Sequence, residues 1–256
     1  MSATIMVTSC LALVACGGRD LGHIDAGPTP VRAPSSSTTG LPAGSADLKV
    51  LRSQDYVLTS GPETKGLKEQ PVPGAPGLAD PKAGKDLTDC LGIPDLSVTA
   101  AYNGPAFTDG AEDPTTANST SAILSTEDAT AARKTLQEPK YPGCLASLTA
   151  KDFDAQLKGQ LKRAGYTDPS LAEKLSVGVS SAGFASPPPG FAAAMEFVVT
   201  VSGPASSQQY YATTLFAIDR HVESELTLGR FGSPPDAAQL ELLATQLLRK
   251  LAQQPR

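Results

Sequence analysis

Few side chains in this sequence have types and spacings that do chemistry, and the best of them lie near the C-terminus. His221, Glu223, Glu225 and Thr227 alternate with Val222, Ser224, Leu226 and Leu228. On an extended chain a period of two sends the first set to one face and the second to the other. Taken alone, the polar set is a solvated strand face. The chemical alternative makes His221 a proton switch, because an ordinary histidine titrates close to neutrality. A Ser-His-acid relay would also have to use His221, since the other histidine, His23, lies in a Pro/Gly-rich stretch. No nucleophile motif supports such a relay: Gly178-Val179-Ser180-Ser181-Ala182-Gly183 lacks the Gly-x-Ser-x-Gly spacing. A Gly-rich phosphate loop is absent. Asp109-Gly110-Ala111-Glu112-Asp113 is acidic but lacks the ligand spacing of a calcium loop. With two histidines and no cysteine pair at ligand spacing, neither a metal nor another cofactor is expected.

Aromatic residues give the other candidates. Tyr102, Phe107, Phe184, Phe191, Tyr210 and Tyr211 fall at expected strand ends or in loops, where aromatic rings form pocket rims. With His221 they are the candidate ligand-binding residues, and loops 103–118 and 183–191 are the expected contacts. Tyr210 and Tyr211 must point to opposite faces of one strand.

The cysteines locate the chain. The apolar run from residue 5 to residue 15 ends in Leu13-Val14-Ala15-Cys16. It has the length of a secretory signal core and is short for a membrane span. Those four residues resemble the bacterial lipobox, which implies cleavage before Cys16 and a lipid such as palmitate on Cys16. No Lys or Arg precedes the core, where a signal carries a basic segment, so a natural start further upstream is expected. Cys10 would leave with the signal (residues 1–15), and Cys90 and Cys144 would remain. Outside the cytoplasm such a pair is most simply a disulfide.

From Gly17 to Gly84, glycine and proline supply 20 of 68 positions and Tyr56 is the lone aromatic. Such composition buries too little apolar surface to offset its ordering entropy. Residues 16–46 therefore read as a flexible Pro/Gly/Ser/Thr tether, and residues 47–256 as one folded domain. The net charge of −5 is scattered, without the basic stripe that nucleic acid requires.

Periodicity then places the elements. Residues 55–59 read as a first strand and 71–81 as a long loop. Leu87, Cys90 and Leu91 give a short helix stopped by Gly92. Residues 96–102 and 119–125 read as strands, with a turn-rich segment between. Ser125 and Asp128 open a helix in the manner of a capping box, with Ala129, Ala132 and Leu136 inward. Tyr141-Pro142-Gly143 reads as a turn, and Thr149 with Asp152 as the start of a separate helix carrying Phe153, Leu157 and Leu161. Four further strands follow, at 175–179, 195–201, 210–218 and 222–228. Ser233 caps a last helix with the stripe Leu240, Leu243, Leu247 and Leu251. The class is α+β, a mainly antiparallel sheet of about five to seven strands flanked by helices.

Taken together, the lipobox, the tether, a helix ending in a cysteine, alternating strands, an Ala-rich helix and a second cysteine resemble actinobacterial lipoproteins. Residues 86–252, and above all residues 220–228 followed by the leucine helix, resemble the extracellular sensor domains of mycobacterial PknH-like receptor kinases. The resemblance implies an antiparallel sheet flanked by helices, a disulfide and a ligand cleft. It transfers no site residue. This chain carries no kinase sequence and one cysteine pair in place of two, which speaks against a direct signalling role. The expected function is that of a non-enzymatic, lipid-anchored domain on the extracytoplasmic face of the cell membrane. Its partner there would be a small molecule, an envelope component or an envelope protein. The alternative is an accessory subunit of an envelope protein complex, and an envelope hydrolase using His221 ranks third.

Overall fold

The computed structural model describes residues 51–70, 81–96, 98–163, 175–203 and 207–255. The expected signal, Cys16, residues 17–50 and the expected loop at 71–81 except Pro81 lie outside them. Among the described residues the chain forms one antiparallel sheet of eight strands. In chain order these are β1 (Lys68–Gln70), β2 (Val98–Asn103), β3 (Ala106–Thr108), β4 (Thr115–Leu124), β5 (Ser176–Ala185), β6 (Ala193–Ser202), β7 (Ser207–Asp219) and β8 (Val222–Phe231). The spatial order is β1-β3-β4-β8-β7-β6-β5, with β2 also paired to β4. The sheet exceeds the expected strand number because β1 and β3, three residues each, fall in stretches without alternation.

Among the described residues four helices join the sheet: α1 (Pro81–Leu91), α2 (Thr126–Thr135), α3 (Tyr141–Arg163) and α4 (Ala237–Ala252). Ser125 caps α2 as its sequence implies, its hydroxyl accepting from the Asp128 amide at 3.0 Å. Two helix starts differ from expectation. Tyr141-Pro142-Gly143 is the first turn of α3 rather than a turn before it, and Thr149 and Asp152 lie within a helix of 23 residues. A proline in a first turn withholds only an N–H that has no partner there anyway, so the chain enters the helix without penalty. The last helix begins after Asp236, whose carboxylate accepts from the Ala238 amide at 2.9 Å, and Ser233 stays outside it.

The period of two in the strands divides the core. On one face α1, α2 and α3 cover Met195, Phe197, Val199, Tyr210, Ala212, Phe216 and Ile218. On the other, α4 lays Leu243, Leu247 and Leu251 on Leu215, Ala217, Val222, Leu226 and Leu228. A fully buried leucine contributes about 1.5–3 kcal/mol, so this stripe alone holds α4 in place.

Residues 55–59, expected as a strand, instead span the end of a single helical turn (Ser53–Tyr56) and an extended segment with no strand partner among the described residues. Side chains hold this segment instead. Ser119 Oγ accepts from the Leu58 amide at 2.7 Å, Ser224 Oγ donates to the Tyr56 carbonyl at 3.0 Å, and Ser121 Oγ donates to the Ser53 carbonyl. From α4, Gln246 both accepts from the Thr59 amide (2.9 Å) and donates to its carbonyl (3.0 Å). Lys250 Nζ donates to the Val57 carbonyl at 2.6 Å. The segment is thus clamped between sheet and helix, which explains three buried serines on an otherwise apolar face.

Cys90 on α1 and Cys144 on α3 form a disulfide, with Cα atoms 5.8 Å apart. It ties α1 to a helix that packs on the sheet. Closing a loop of 54 residues stabilises by about 4 kcal/mol in the chain-entropy model. Replacing both cysteines with serine is expected to lower unfolding free energy by about that amount in urea titrations.

Candidate functional site

Strand parity carries Glu223, Glu225 and Thr227 to the α1–α3 face, at the centre of the sheet. Glu223 lies between Ala122 of β4 and Ile218 of β7, and Glu225 between Thr120 and Phe216. The face read from sequence as solvated is therefore flanked by strands on both sides and overlooked by helices. Both carboxyl groups are surrounded by protein, yet each side chain keeps part of its surface in contact with solvent. The pair is thus set back beneath the helix layer yet still reachable from solvent, and this setting is termed the recess.

The surroundings of this recess are uneven. Tyr141, at the first turn of α3, is 5% exposed and meets Phe216 edge to face with ring centres 6.0 Å apart. Its hydroxyl makes no hydrogen bond among the described residues. Burial pushes the Tyr141 phenol well above its usual range, and the charges of Glu223 and then Glu225 push it the same way. Phe216 is the cross-strand neighbour of Glu225, so Tyr141 packs over the same stretch of the sheet as the glutamate pair. Thr227 Oγ1 lies 2.8 Å from Thr214 Oγ1 and reaches toward Glu225 Oε1 at 3.4 Å. Further along, Tyr210 forms a wall: its ring lies over Gly229 and its hydroxyl meets Thr116 Oγ1 at 2.9 Å. A Cβ at Gly229 would stand 1.8 Å from the Tyr210 hydroxyl oxygen, so only glycine lets that ring cross β8. Phe153 and Phe231 pack on it from either side.

Desolvation raises both carboxyl groups to about 7. For Glu225 the neighbouring Glu223 charge adds to this and the Thr227 hydroxyl opposes it. Among the described residues no cationic side chain forms an ion pair with either. Two adjacent acids are thus held near neutrality without a counter-charge. In that range they both donate and accept hydrogen bonds.

The residues singled out from sequence divide between the two faces. Tyr210 faces the recess from its end. Phe184 is on the same face but on β5, an edge strand, and is 48% exposed. Phe107 and Phe191 are buried in the core under α4, and Tyr102 and Tyr211 point to that same side. The Tyr211 hydroxyl donates to Gln209 Oε1 at 2.7 Å. His221 occupies the two-residue turn between β7 and β8, beside Arg220 with its φ of 47°. Its Nδ1 lies 3.2 Å from the Leu124 carbonyl oxygen. No group of three histidine, cysteine or carboxylate side chains converges as a metal site among the described residues, so His221 does not join the glutamate pair. Tyr141 was hidden in sequence by its place in an apparent turn. The signal for the pair was present as two acids at i and i+2 on a strand bounded by two others.

No helix among the described residues is long and apolar enough to cross a membrane. No protein-family model matches the chain, and no curated protein matches it in sequence. Among solved structures it is similar to the extracellular domain of PknH from Mycobacterium tuberculosis, with a TM-score of 0.32 and 12% identity over 77% of each chain. It is also similar to LpqN of Mycobacterium tuberculosis, a protein involved in cell envelope biogenesis. That match has a TM-score of 0.25 and 13% identity, over 71% of this chain and 87% of LpqN.

The glutamates make stability depend on pH. Their folded values near 7 exceed the ordinary 4.5, so between these limits the folded state binds more protons than the unfolded chain. Their contribution is complete below pH 4.5 and is lost as pH rises through 7. The expected loss is on the order of a few kcal/mol, shared by the pair. Melting temperatures measured from pH 5 to pH 8 should fall in the wild type and stay flatter in Glu223→Gln/Glu225→Gln.

Proposed function

We propose that this protein is a lipid-anchored, extracytoplasmic binding protein that takes a small molecule in the recess between β8 and the α1–α3 layer. The observation that carries this reading is the set Glu223, Glu225 and Tyr141: three polar groups over one stretch of the sheet beside aromatic rings, with no ion-pair partner among the described residues. A folded chain keeps such a group only at a cost in stability, and a ligand that supplies the missing partner removes that cost. The disulfide supports an oxidising compartment, and the lipobox-like Leu13-Val14-Ala15-Cys16 supports attachment to the outer face of the membrane.

A binding role fits the electrostatics better than catalysis does. Acid–base chemistry by two carboxyl groups depends on environments that push their pKa values apart. Here the same desolvation pushes both up to about 7. A relay through His221 has little support, because its Nδ1 faces a backbone carbonyl rather than an acid.

Two measurements check the proposal. In cells, radiolabelled palmitate should enter the wild-type protein and not Cys16→Ala; equal labelling of both removes the anchor. A thermal-shift screen of amines, glycans, lipids and peptides should find compounds that raise the melting temperature as RT ln(1 + [L]/Kd). Those compounds should move the amide resonances of Tyr141, Glu223 and Glu225. Hits that leave these resonances in place would remove the recess from the proposal.

A further inference from the structure

Resting on that reading, we infer that the ligand of the recess carries an organic ammonium group, seated between the Glu223 and Glu225 carboxylates with the Tyr141 hydroxyl as its third contact. Three observations lead here. The carboxyl groups are adjacent on one face of one strand and have no cation beside them among the described residues. The Tyr141 side chain is 5% exposed, packs against Phe216 at a ring-centre distance of 6.0 Å where Phe216 pairs with Glu225, and has a hydroxyl without a hydrogen-bond partner among the described residues. The donor set lacks a third ligating side chain, so it suits a group that brings its own N–H bonds rather than a bare metal ion.

An ammonium meets each need. Its N–H bonds donate to the two carboxylates and to the phenol oxygen, and the phenol proton remains free to bond a carboxylate oxygen. Phe216, the cross-strand neighbour of Glu225 and perpendicular to Tyr141, adds an aromatic ring beside the pair. The residues facing the pair from neighbouring strands are uncharged: Ile218 and Phe216 on β7, and Thr120 and Ala122 on β4. From α2, Arg133 is committed to the Ile218 carbonyl at 2.8 Å, and in the turn His221 is held at the Leu124 carbonyl. The strand neighbours therefore add no charge beside the pair, and the two carboxylates themselves supply the negative charge an incoming amine meets there. Because the acids must ionise to receive it, binding releases protons. Affinity should then strengthen by about tenfold per pH unit for each proton released, up to about pH 7.

The test titrates the full chain with phenethylamine, and with 2-phenylethanol as its neutral match, by calorimetry and thermal shift at pH 5.5 and pH 8. The amine should bind at pH 8 and weaken at least tenfold at pH 5.5, while the alcohol does not bind. Glu223→Gln and Glu225→Gln should each weaken the amine at least tenfold, and Tyr141→Phe several-fold. Glutamine mimics the neutral acid, so these variants should fold, which circular dichroism checks. Should one fail to fold, carbon-13 titration of the wild-type glutamate carboxyls replaces it: saturating amine should lower both apparent pKa values. Equal binding of amine and alcohol, or amine binding that survives the glutamine substitutions or leaves the carboxyl titration unmoved, overturns the ammonium proposal. If only neutral compounds bind, and bind at Tyr141, the ammonium proposal falls while the recess reading stands. If none of these compounds and nothing in the wider screen moves the recess residues, both fall.

Discussion

Strand parity along β8 is the constraint on which the rest of the molecule depends. Its even positions, Val222, Ser224, Leu226 and Leu228, go to the α4 side; its odd positions, Glu223, Glu225 and Thr227, go to the α1–α3 side. A slip of one residue would exchange the two sets, placing carboxylates beneath the leucine stripe of α4 and Leu226 in the recess. Nine residue pairs with β4 and ten with β7 fix that register. The centre of the sheet thus commits one face to apolar packing and leaves the other able to carry polar groups.

The two faces satisfy their polar groups differently. On the α4 side each buried serine of β4 and β8 has a definite backbone partner in the segment at 53–58, and Gln246 completes the clamp from α4. Polar atoms there serve folding: they replace the strand ladder that this segment lacks. On the α1–α3 side the hydroxyls of Thr214, Thr227 and Thr116 are paired, but Tyr141 and the two glutamates are partly desolvated with no counter-charge paired to them among the described residues. Such groups oppose folding at neutral pH, and a chain retains them most economically where something outside it completes them.

The disulfide belongs to the recess as well as to stability. Cys144 lies one turn from Tyr141 on α3, so the bridge to α1 steadies the helix start that presents the phenol. The ring of Tyr210 closes the opposite end because Gly229 leaves room for it. Wall, floor and roof thus come from the β7–β8 hairpin and from α3, which is far from it in sequence and meets it through packing on the sheet.

The sequence by itself determined the elements whose signals are local. The Ser125 cap, the leucine stripe of α4, the hairpin of β7 and β8, the cysteine pair and the α+β class all follow from spacing and from side-chain chemistry close in the chain. It misplaced the segment at 55–59 and the start of α3, where partners far along the chain decide: serines from β4 and β8 hold one, and packing on the sheet continues the other. The alternation of Glu223 and Glu225 with apolar residues was plain, but an alternating strand looks the same whether its polar face meets water or a helix layer. Only the tertiary structure decided that β4, β7 and α3 enclose that face, because desolvation is a property of what surrounds a group and not of its place in the chain.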